Sequence, residues 1–154
     1  MIYSMEFRAM NTDILLAAEG ERAMEGIHDA QSFIDDCEQR FSRFLPASEL
    51  TQLNRSAGEW FPVSDDLMEL LQLSMKYYLE TKGIFDPTIL TELKRIGYDR
   101  SMDEIRSNGN TSQPHASKRT SKPAFNEVSF DLADNRVRLP RGMELAYDGL
   151  VIDV

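Results

Sequence analysis

The sequence feature that most constrains the fold is an apolar stripe at helical spacing between residues 21 and 41. Its members recur three or four positions apart, as on one face of an α-helix. They are Ala23, Ile27, Ala30, Ile34, Cys37 and Phe41. A second stripe comprises Leu67, Leu70, Leu71, Ser74, Tyr78 and Thr81. Because each helix must bury its apolar face against another layer, we predict an α+β fold with an antiparallel sheet packed against two long helices.

Helix-capping residues set the limits of the second helix. Ser64 is predicted to cap its start, and Asp65 and Asp66 then occupy the end of the helix dipole that favours negative charge. Gly83 is expected to be the first left-handed residue after the helix. The second helix is therefore predicted to run from residue 65 to residue 82.

Two stretches near the amino terminus, residues 3–9 and 13–18, are predicted to be strands. Residues 14–18 are continuously apolar, which is typical of a strand buried on both faces. The residues between the two strands suit a turn, in which Asn11 is expected to tolerate left-handed geometry.

A hairpin is predicted near the other end of the chain. Residues 128–132 and 136–139 alternate in polarity, and Asp134 and Asn135 between them are typical turn residues. Residues 143–154 form a last extended candidate. We predict that strands from both ends of the chain form one sheet.

The first helix ends in a corner. Pro46 cannot continue a helix, and Ser48 is placed to cap a second, short helix with Glu49 in its first turn. A corner that carries Phe41 and Phe44 can present aromatic faces to a planar ligand. The alternative, in which both phenylalanines are core residues, stays open.

The segment after residue 83 contains three further signals. Asp86 and Pro87 suit the cap and first position of a helix that runs to about Ile96. Residues 101–104 have capping-box spacing and predict another short helix. Residues 108–123 lack periodicity and predict a mobile surface loop. The basic side chains of that loop are expected either to be solvated or to contact a phosphate. They are His115, Lys118, Arg119 and Lys122.

Composition limits the classes of function. The 154 residues suit a single domain, 1–154, and the net charge of −9 argues against nucleic-acid and anionic-membrane partners. Cys37 is the single cysteine, so a disulfide framework is excluded. It is predicted to be a small core residue rather than a nucleophile. His28 and His115 are too far apart in sequence for a ligand pair at helical spacing. Without an 18-residue apolar run, a signal peptide or a lipid-attachment cysteine, the chain is expected to be cytoplasmic.

Several motifs, in their order and separation, resemble the ApbE family of FAD:protein FMN transferases, formerly labelled thiamine-biosynthesis lipoproteins. The first is Phe-Arg-Ala-Met-Asn-Thr at residues 7–12. The second is Phe-Ser-Arg-Phe at 41–44, followed by Ser-Glu-Leu at 48–50 and Leu-Asn at 53–54. The third is Thr-Lys-Gly-Ile-Phe-Asp-Pro-Thr at 81–88, followed by Gly-Tyr-Asp at 97–99.

The resemblance implies an ApbE-like (T-fold-like) half that binds FAD. In the family, FAD is split with Mg²⁺ and FMN passes to a serine or threonine of an acceptor protein, or to water. Carried over motif by motif, the cofactor-binding residues are Met10, Phe44, Ile84, Phe85 and Asp86. Asp86 suits a helix cap alone or a cap that also contacts the ligand. Many family members are exported.

The sequence departs from the family after residue 143. The family has an Asp-x-Gly-Gly signature followed by a lysine. In this chain Ala146 occupies the position of the leading acid, and Ile152 occupies the position of the lysine. The half that supplies the family's metal ligands and catalytic histidine has no counterpart in these 154 residues. We therefore assign no catalytic or metal residue, and expect this chain alone to be inactive. The alternative is a non-catalytic flavin-binding or protein-interaction module, with a homodimer or a complementary chain meeting an unpaired sheet edge.

Overall fold

The computed structural model describes residues 1–10, 12–95 and 122–147. Its strands are β1 (Ile2–Ala9), β2 (Thr12–Glu19), β3 (Phe61–Pro62), β4 (Ser129–Asp131) and β5 (Arg136–Arg138). Its α-helices are α1 (Ala23–Phe41), α2 (Glu49–Arg55), α3 (Asp65–Glu80) and α4 (Leu90–Arg95), with 3₁₀ turns at Pro87–Ile89 and Phe125–Glu127. This α+β architecture with two long helices confirms the predicted fold class.

Some predictions lie outside the described residues. They are the short helix at 101–104, the loop at 108–123 apart from its last two residues, and the extended segment beyond Tyr147. The described part of that segment, residues 143–147, is not assigned as a strand.

The described strands form two separate antiparallel sheets, so the prediction of one shared sheet is wrong. β1 pairs with β2, with Phe7 opposite Ile14, and the second sheet has the order β3-β5-β4. Both predicted hairpins are present because short connections close at small entropic cost. In the second sheet the other side of β5 pairs with β3, whose two residues carry no recognisable strand pattern.

The hairpin of β1 and β2 has one covered face. Ile14, Leu16 and Ala18 are half-buried, whereas Leu15 on the opposite face is 62% exposed. The prediction that β2 is buried on both faces is wrong, because α1 packs against the hairpin and Leu15 stays accessible to solvent. An apolar run alone does not distinguish these cases.

The hydrophobic core lies between α2, α3 and the second sheet. Its fully buried members are Leu50, Leu53, Leu67, Leu71, Phe125, Val137, Leu139 and Leu145. The α3 stripe predicted from sequence supplies Leu67 and Leu71, and Met68 beside them is a buried residue that the stripe did not include.

The predicted helix caps are present. The Ser48 and Ser64 hydroxyl oxygens accept hydrogen bonds from the Thr51 and Leu67 backbone N–H groups, at 3.1 and 3.2 Å. The end of α3 differs by one position, because Lys82 rather than Gly83 is the first left-handed residue (φ 55°). No helix in the described ranges is both long enough and apolar enough to cross a membrane.

Candidate functional site

A groove of about 920 Å³ lies where α1, the first half of α3 and the turn between β1 and β2 meet. Large apolar side chains line it: Met10 from the turn, Phe33 and Phe41 from α1, Phe44 from the corner after α1, and Leu70 and Leu73 from α3. A concave, largely apolar surface of this size is typical of small-molecule sites. It is the candidate site.

Met10 is held in the groove by an unusual backbone conformation. Its φ of 50° lies in the left-handed region, which is uncommon for a residue other than glycine. Its backbone N–H donates to the Glu38 carboxylate on α1 at 2.9 Å. The sequence predicted left-handed geometry at Asn11, which lies outside the described residues. Glu38 therefore fixes the turn that places Met10.

The two phenylalanines of the corner have different environments. Phe41 is half-buried and packs against the hydrophobic core, whereas Phe44 is 37% exposed. The Arg43 guanidinium lies 4.0 Å from the centroid of the Phe44 ring. Because this cation covers one face of the ring, the opposite face is the one available to a ligand.

A polar network fixes the corner. The Ser48 hydroxyl donates to the Ser42 carbonyl at 2.6 Å while accepting from the Thr51 backbone N–H at 3.1 Å. The Phe44 N–H donates to the Ser42 hydroxyl at 3.2 Å. The corner is thus tied to the start of α2, and this holds Phe44 in place.

Arg40 joins α1 to the start of α3 through hydrogen bonds that were not predicted from the sequence; this contact is called the Arg40 clasp. Its guanidinium donates to the carboxylates of Asp66 at 2.6 Å and Asp36 at 3.2 Å, and to the Ser64 hydroxyl at 2.8 Å. The hydrogen bond to Asp66 raises the pKa of Arg40 above its ordinary value. The sequence signal for this contact was an arginine at the end of the first long predicted helix together with aspartates at the start of the second long one.

Ile84, Phe85 and Asp86 do not line the groove; they follow the carboxyl end of α3. Ile84 is 90% exposed, and the Phe85 ring packs edge-on against Tyr77 with centroids 6.2 Å apart. Of the five residues predicted from the resemblance, the structure therefore brings Met10 and Phe44 together and places the other three elsewhere. Their roles in binding stay predictions.

Asp86 caps the turn at Pro87–Ile89, as predicted. Its Oδ1 accepts from the Thr88 N–H at 2.9 Å and from the Thr88 hydroxyl at 2.6 Å, and its Oδ2 accepts from the Lys122 ammonium at 3.0 Å. Partial burial alone would raise the pKa of Asp86, but the bonds from Thr88 and Lys122 together lower it below its ordinary value.

This lowered pKa predicts an acid-sensitive contribution of Asp86 to stability. Ionised Asp86 stabilises the fold above its unfolded pKa of about 3.9, and this stabilisation is lost as the pH falls through its lower folded pKa. Asp86→Asn keeps an oxygen that can cap the turn but removes the charge that pairs with Lys122, and is expected to lower the free energy of unfolding at pH 6 by about 0.5–1 kcal/mol. Urea unfolding of both proteins from pH 6 down to pH 2.5 should show the difference shrink below pH 4. A difference that is constant with pH would contradict the prediction.

A short backbone segment connects Asp86 to the groove. The Ala146 N–H donates to the Pro87 carbonyl at 2.9 Å, and the next residue, Tyr147, lines the groove. Asn54 holds this segment through two bonds to the backbone of Leu145, at 2.9 and 2.8 Å. Asn54 belongs to the second family motif, but the motif does not predict this contact with residue 145.

Tyr147 is a groove residue that sequence reasoning also missed. Burial raises the pKa of its hydroxyl, and the nearby Ser74 hydroxyl offsets this only in part. Cys37 lines the same groove, and burial and then the Asp36 carboxylate raise the pKa of its thiol. Both groups are therefore protonated at neutral pH.

The described residues contain no group of three or more histidine, cysteine, aspartate or glutamate side chains placed to hold a metal ion. Hard cations such as Mg²⁺ need clustered oxygen ligands. We therefore assign no Mg²⁺ ligands among the described residues.

The fold of this chain is similar to that of solved ApbE structures. The chain is similar to the ApbE protein of Thermotoga maritima, with a TM-score of 0.77 and 19% identity over 97% of this chain and 48% of that one. It is also similar to the flavinyl transferase ApbE of Pseudomonas stutzeri in its apo form, with a TM-score of 0.72 and 17% identity over 99% and 51% of the two chains. It is similar as well to the flavin transferase ApbE of Vibrio cholerae, with a TM-score of 0.68 and 13% identity over 96% of this chain and 48% of that one. At such identities the likeness establishes the fold.

The ApbE family model matches residues 9–151, and the chain belongs to the ApbE family. It spans about half the length of the solved structures that it matches. No curated relative matches it.

Proposed function

We propose that the chain binds FAD and contributes the flavin-binding part of a flavin transferase. In complete form, such an enzyme transfers FMN from FAD, with Mg²⁺, to a serine or threonine of an acceptor protein. The observation that carries the proposal is that Met10 and Phe44, which come from two separate family motifs, line one groove. Membership of the ApbE family supports the same reaction class.

The groove suits the flat ring system of a flavin. Its volume of about 920 Å³ lies within the range of roughly 300–1,000 Å³ for small-molecule pockets. The free face of Phe44 can stack on an aromatic ring, and the thioether of Met10 is a favourable neighbour for such a ring. In this proposal the isoalloxazine therefore lies between the corner and the turn of the hairpin.

The remainder of the dinucleotide extends towards Ile84, Phe85 and Asp86. FAD is an elongated ligand, and the segment from Ala146 to Tyr147 leads from the Pro87 carbonyl to the groove. The Asp86 carboxylate suits hydrogen-bond donors of a sugar or a ring, because a carboxylate accepts more bonds than a helix cap requires. Lys122 beside it supplies a positive charge.

The metal-dependent step is not assigned to these residues. Mg²⁺, when bound, neutralises charge on the pyrophosphate oxygens, and the described residues contain no suitable ligand group. In this proposal the chain therefore binds and positions FAD, while the complete form of the enzyme cleaves it.

The same observation favours a second candidate, a flavin-binding or protein-interaction module without catalysis. In its flavin-binding form, the second candidate agrees with the first that this chain binds flavin without cleaving FAD by itself. They differ in whether a complementary polypeptide confers transferase activity. Adding in trans the half of an ApbE protein that this chain does not span, and assaying covalent flavin on an acceptor, would distinguish them.

The test begins with the purified 154-residue chain and FAD. Flavin fluorescence titration should show saturable binding, and FAD should raise the melting temperature because it binds the folded state. With Mg²⁺ present, chromatography should show no release of FMN and AMP above the rate without protein. Failure to bind FAD would overturn the proposal, and FMN release at an enzymatic rate would overturn the assignment of cleavage to the complete form.

A further inference from the structure

We propose that the part of the groove between α1 and α3 docks an amphipathic helix that carries lysine or arginine and belongs to a second polypeptide. This inference concerns a different ligand from the flavin, which the proposal above places in the same groove but nearer the corner and the hairpin turn. It rests on the shape of the groove, its exposed apolar side chains and the charge of its rim.

The shape of the groove is set by the Arg40 clasp. Arg40 ties α1 to α3 through Asp66 at 2.6 Å. Phe33 precedes Arg40 by two helical turns, and Leu73 follows Asp66 by two turns, so each lies about 10 Å along its helix from the clasp. Both side chains line the same groove, which therefore runs alongside two helices for that length.

The apolar walls of the groove are accessible to solvent. Phe33 is 69% exposed and Leu73 is 45% exposed, while Leu70, also on α3, is half-buried. Large apolar side chains that line one concave surface are typical of sites that bind another molecule. A helix with apolar residues at spacings of three and four is the polypeptide element that such a groove accepts.

The backbone of the walls favours a helix over an extended strand. A strand that binds another chain gains its affinity from main-chain hydrogen bonds to an open sheet edge. Here the long walls are α1 and α3, whose backbone groups are hydrogen-bonded within each helix. A bound segment must therefore satisfy its own backbone, as an α-helix does.

The charge of the rim selects a cationic partner. Four carboxylates line the groove against two arginines: Asp36, Glu38, Asp66 and Glu69 against Arg8 and Arg40. The lining thus has two negative charges in excess, and the whole chain has a net charge of −9. Complementary charge favours lysine and arginine on the incoming helix, whereas a second copy of this acidic chain would be repelled.

The test uses two synthetic helical peptides of 18 residues with the same leucine stripe and either lysine or glutamate elsewhere. Fluorescence anisotropy at 150 mM salt should show saturable binding of the lysine peptide and at least tenfold weaker binding of the glutamate peptide. Phe33→Ser combined with Leu73→Ser should weaken binding of the lysine peptide at least tenfold. The matched control, Leu15→Ser combined with Leu132→Ser, removes exposed leucines outside the groove and should change the affinity less than twofold.

A charge reversal provides a second measurement that does not alter the apolar walls. Glu69→Lys should weaken the lysine peptide and strengthen the glutamate peptide, each at least threefold. Circular dichroism melts should show that all variants fold, because the substituted side chains are exposed. Equal weakening by the groove and control variants would indicate non-specific attraction and overturn the proposal, as would absence of binding. FAD titrations of the same variants report on the flavin site separately.

Discussion

Phe125→Ala is expected to lower the free energy of unfolding by about 3–5 kcal/mol, the range for removing a buried phenylalanine ring. Phe125 is completely buried in the hydrophobic core. Its ring packs edge-on against Tyr78 of α3, with centroids 5.7 Å apart and an interplanar angle of 71°. The substitution leaves a cavity between α3 and the start of the second hairpin. Urea unfolding followed by circular dichroism measures the change.

The matched control is Leu132→Ala in the turn of the hairpin that follows Phe125. Leu132 is 62% exposed, so its truncation should change the free energy of unfolding by no more than about 0.5 kcal/mol. Similar losses for the two variants would mean that the hairpin does not pack on α3 as described.

Phe44→Ala is expected to weaken FAD binding by roughly 1–3 kcal/mol, the range for losing base–aromatic stacking. This corresponds to about a five- to 150-fold loss of affinity. One face of the Phe44 ring carries the Arg43 guanidinium at 4.0 Å, and the proposal places the flavin on the other face. Flavin fluorescence titration of the folded variant measures the loss.

Two further variants separate stacking from stability. Phe44→Tyr keeps the aromatic ring and should bind FAD within about twofold of the original protein. Phe41→Ala should instead lower the free energy of unfolding by about 1–3 kcal/mol, because the half-buried Phe41 ring packs against the core. Equal FAD affinity in Phe44→Ala and the unaltered chain would remove Phe44 from the flavin site, even if Met10 and Phe44 share the groove.

Local features of the fold were predictable because their causes are local. Ser48, Ser64 and Asp86 are helix caps in the structure, since each places an oxygen near an N–H two or three residues later. The hairpin turn contains Asn135 with φ 49°, as a residue tolerant of left-handed geometry allows. The apolar faces of both long helices were likewise predictable, because each depends on residue spacing within one helix.

The candidate site was predictable only in part. The family motifs indicated Met10 and Phe44, and the structure places both in the groove. They did not indicate Glu38 or Tyr147, whose contributions depend on contacts between distant segments. Ile84, Phe85 and Asp86 stay predictions as ligand residues, because the structure places them after α3 and outside the groove.

The sequence by itself determined the two helix faces, the caps at Ser48, Ser64 and Asp86, the two hairpins and membership of the ApbE family, because these depend on spacing and on motifs in order. Tertiary structure alone decided that the hairpins lie in separate sheets, that β3 pairs with β5, and that Leu15 is exposed. It also decided that Arg40 joins α1 to α3. The physical reason is that strand partners, the covered face of a sheet and long-range ion pairs depend on which surfaces meet, and residue spacing within one element does not encode this.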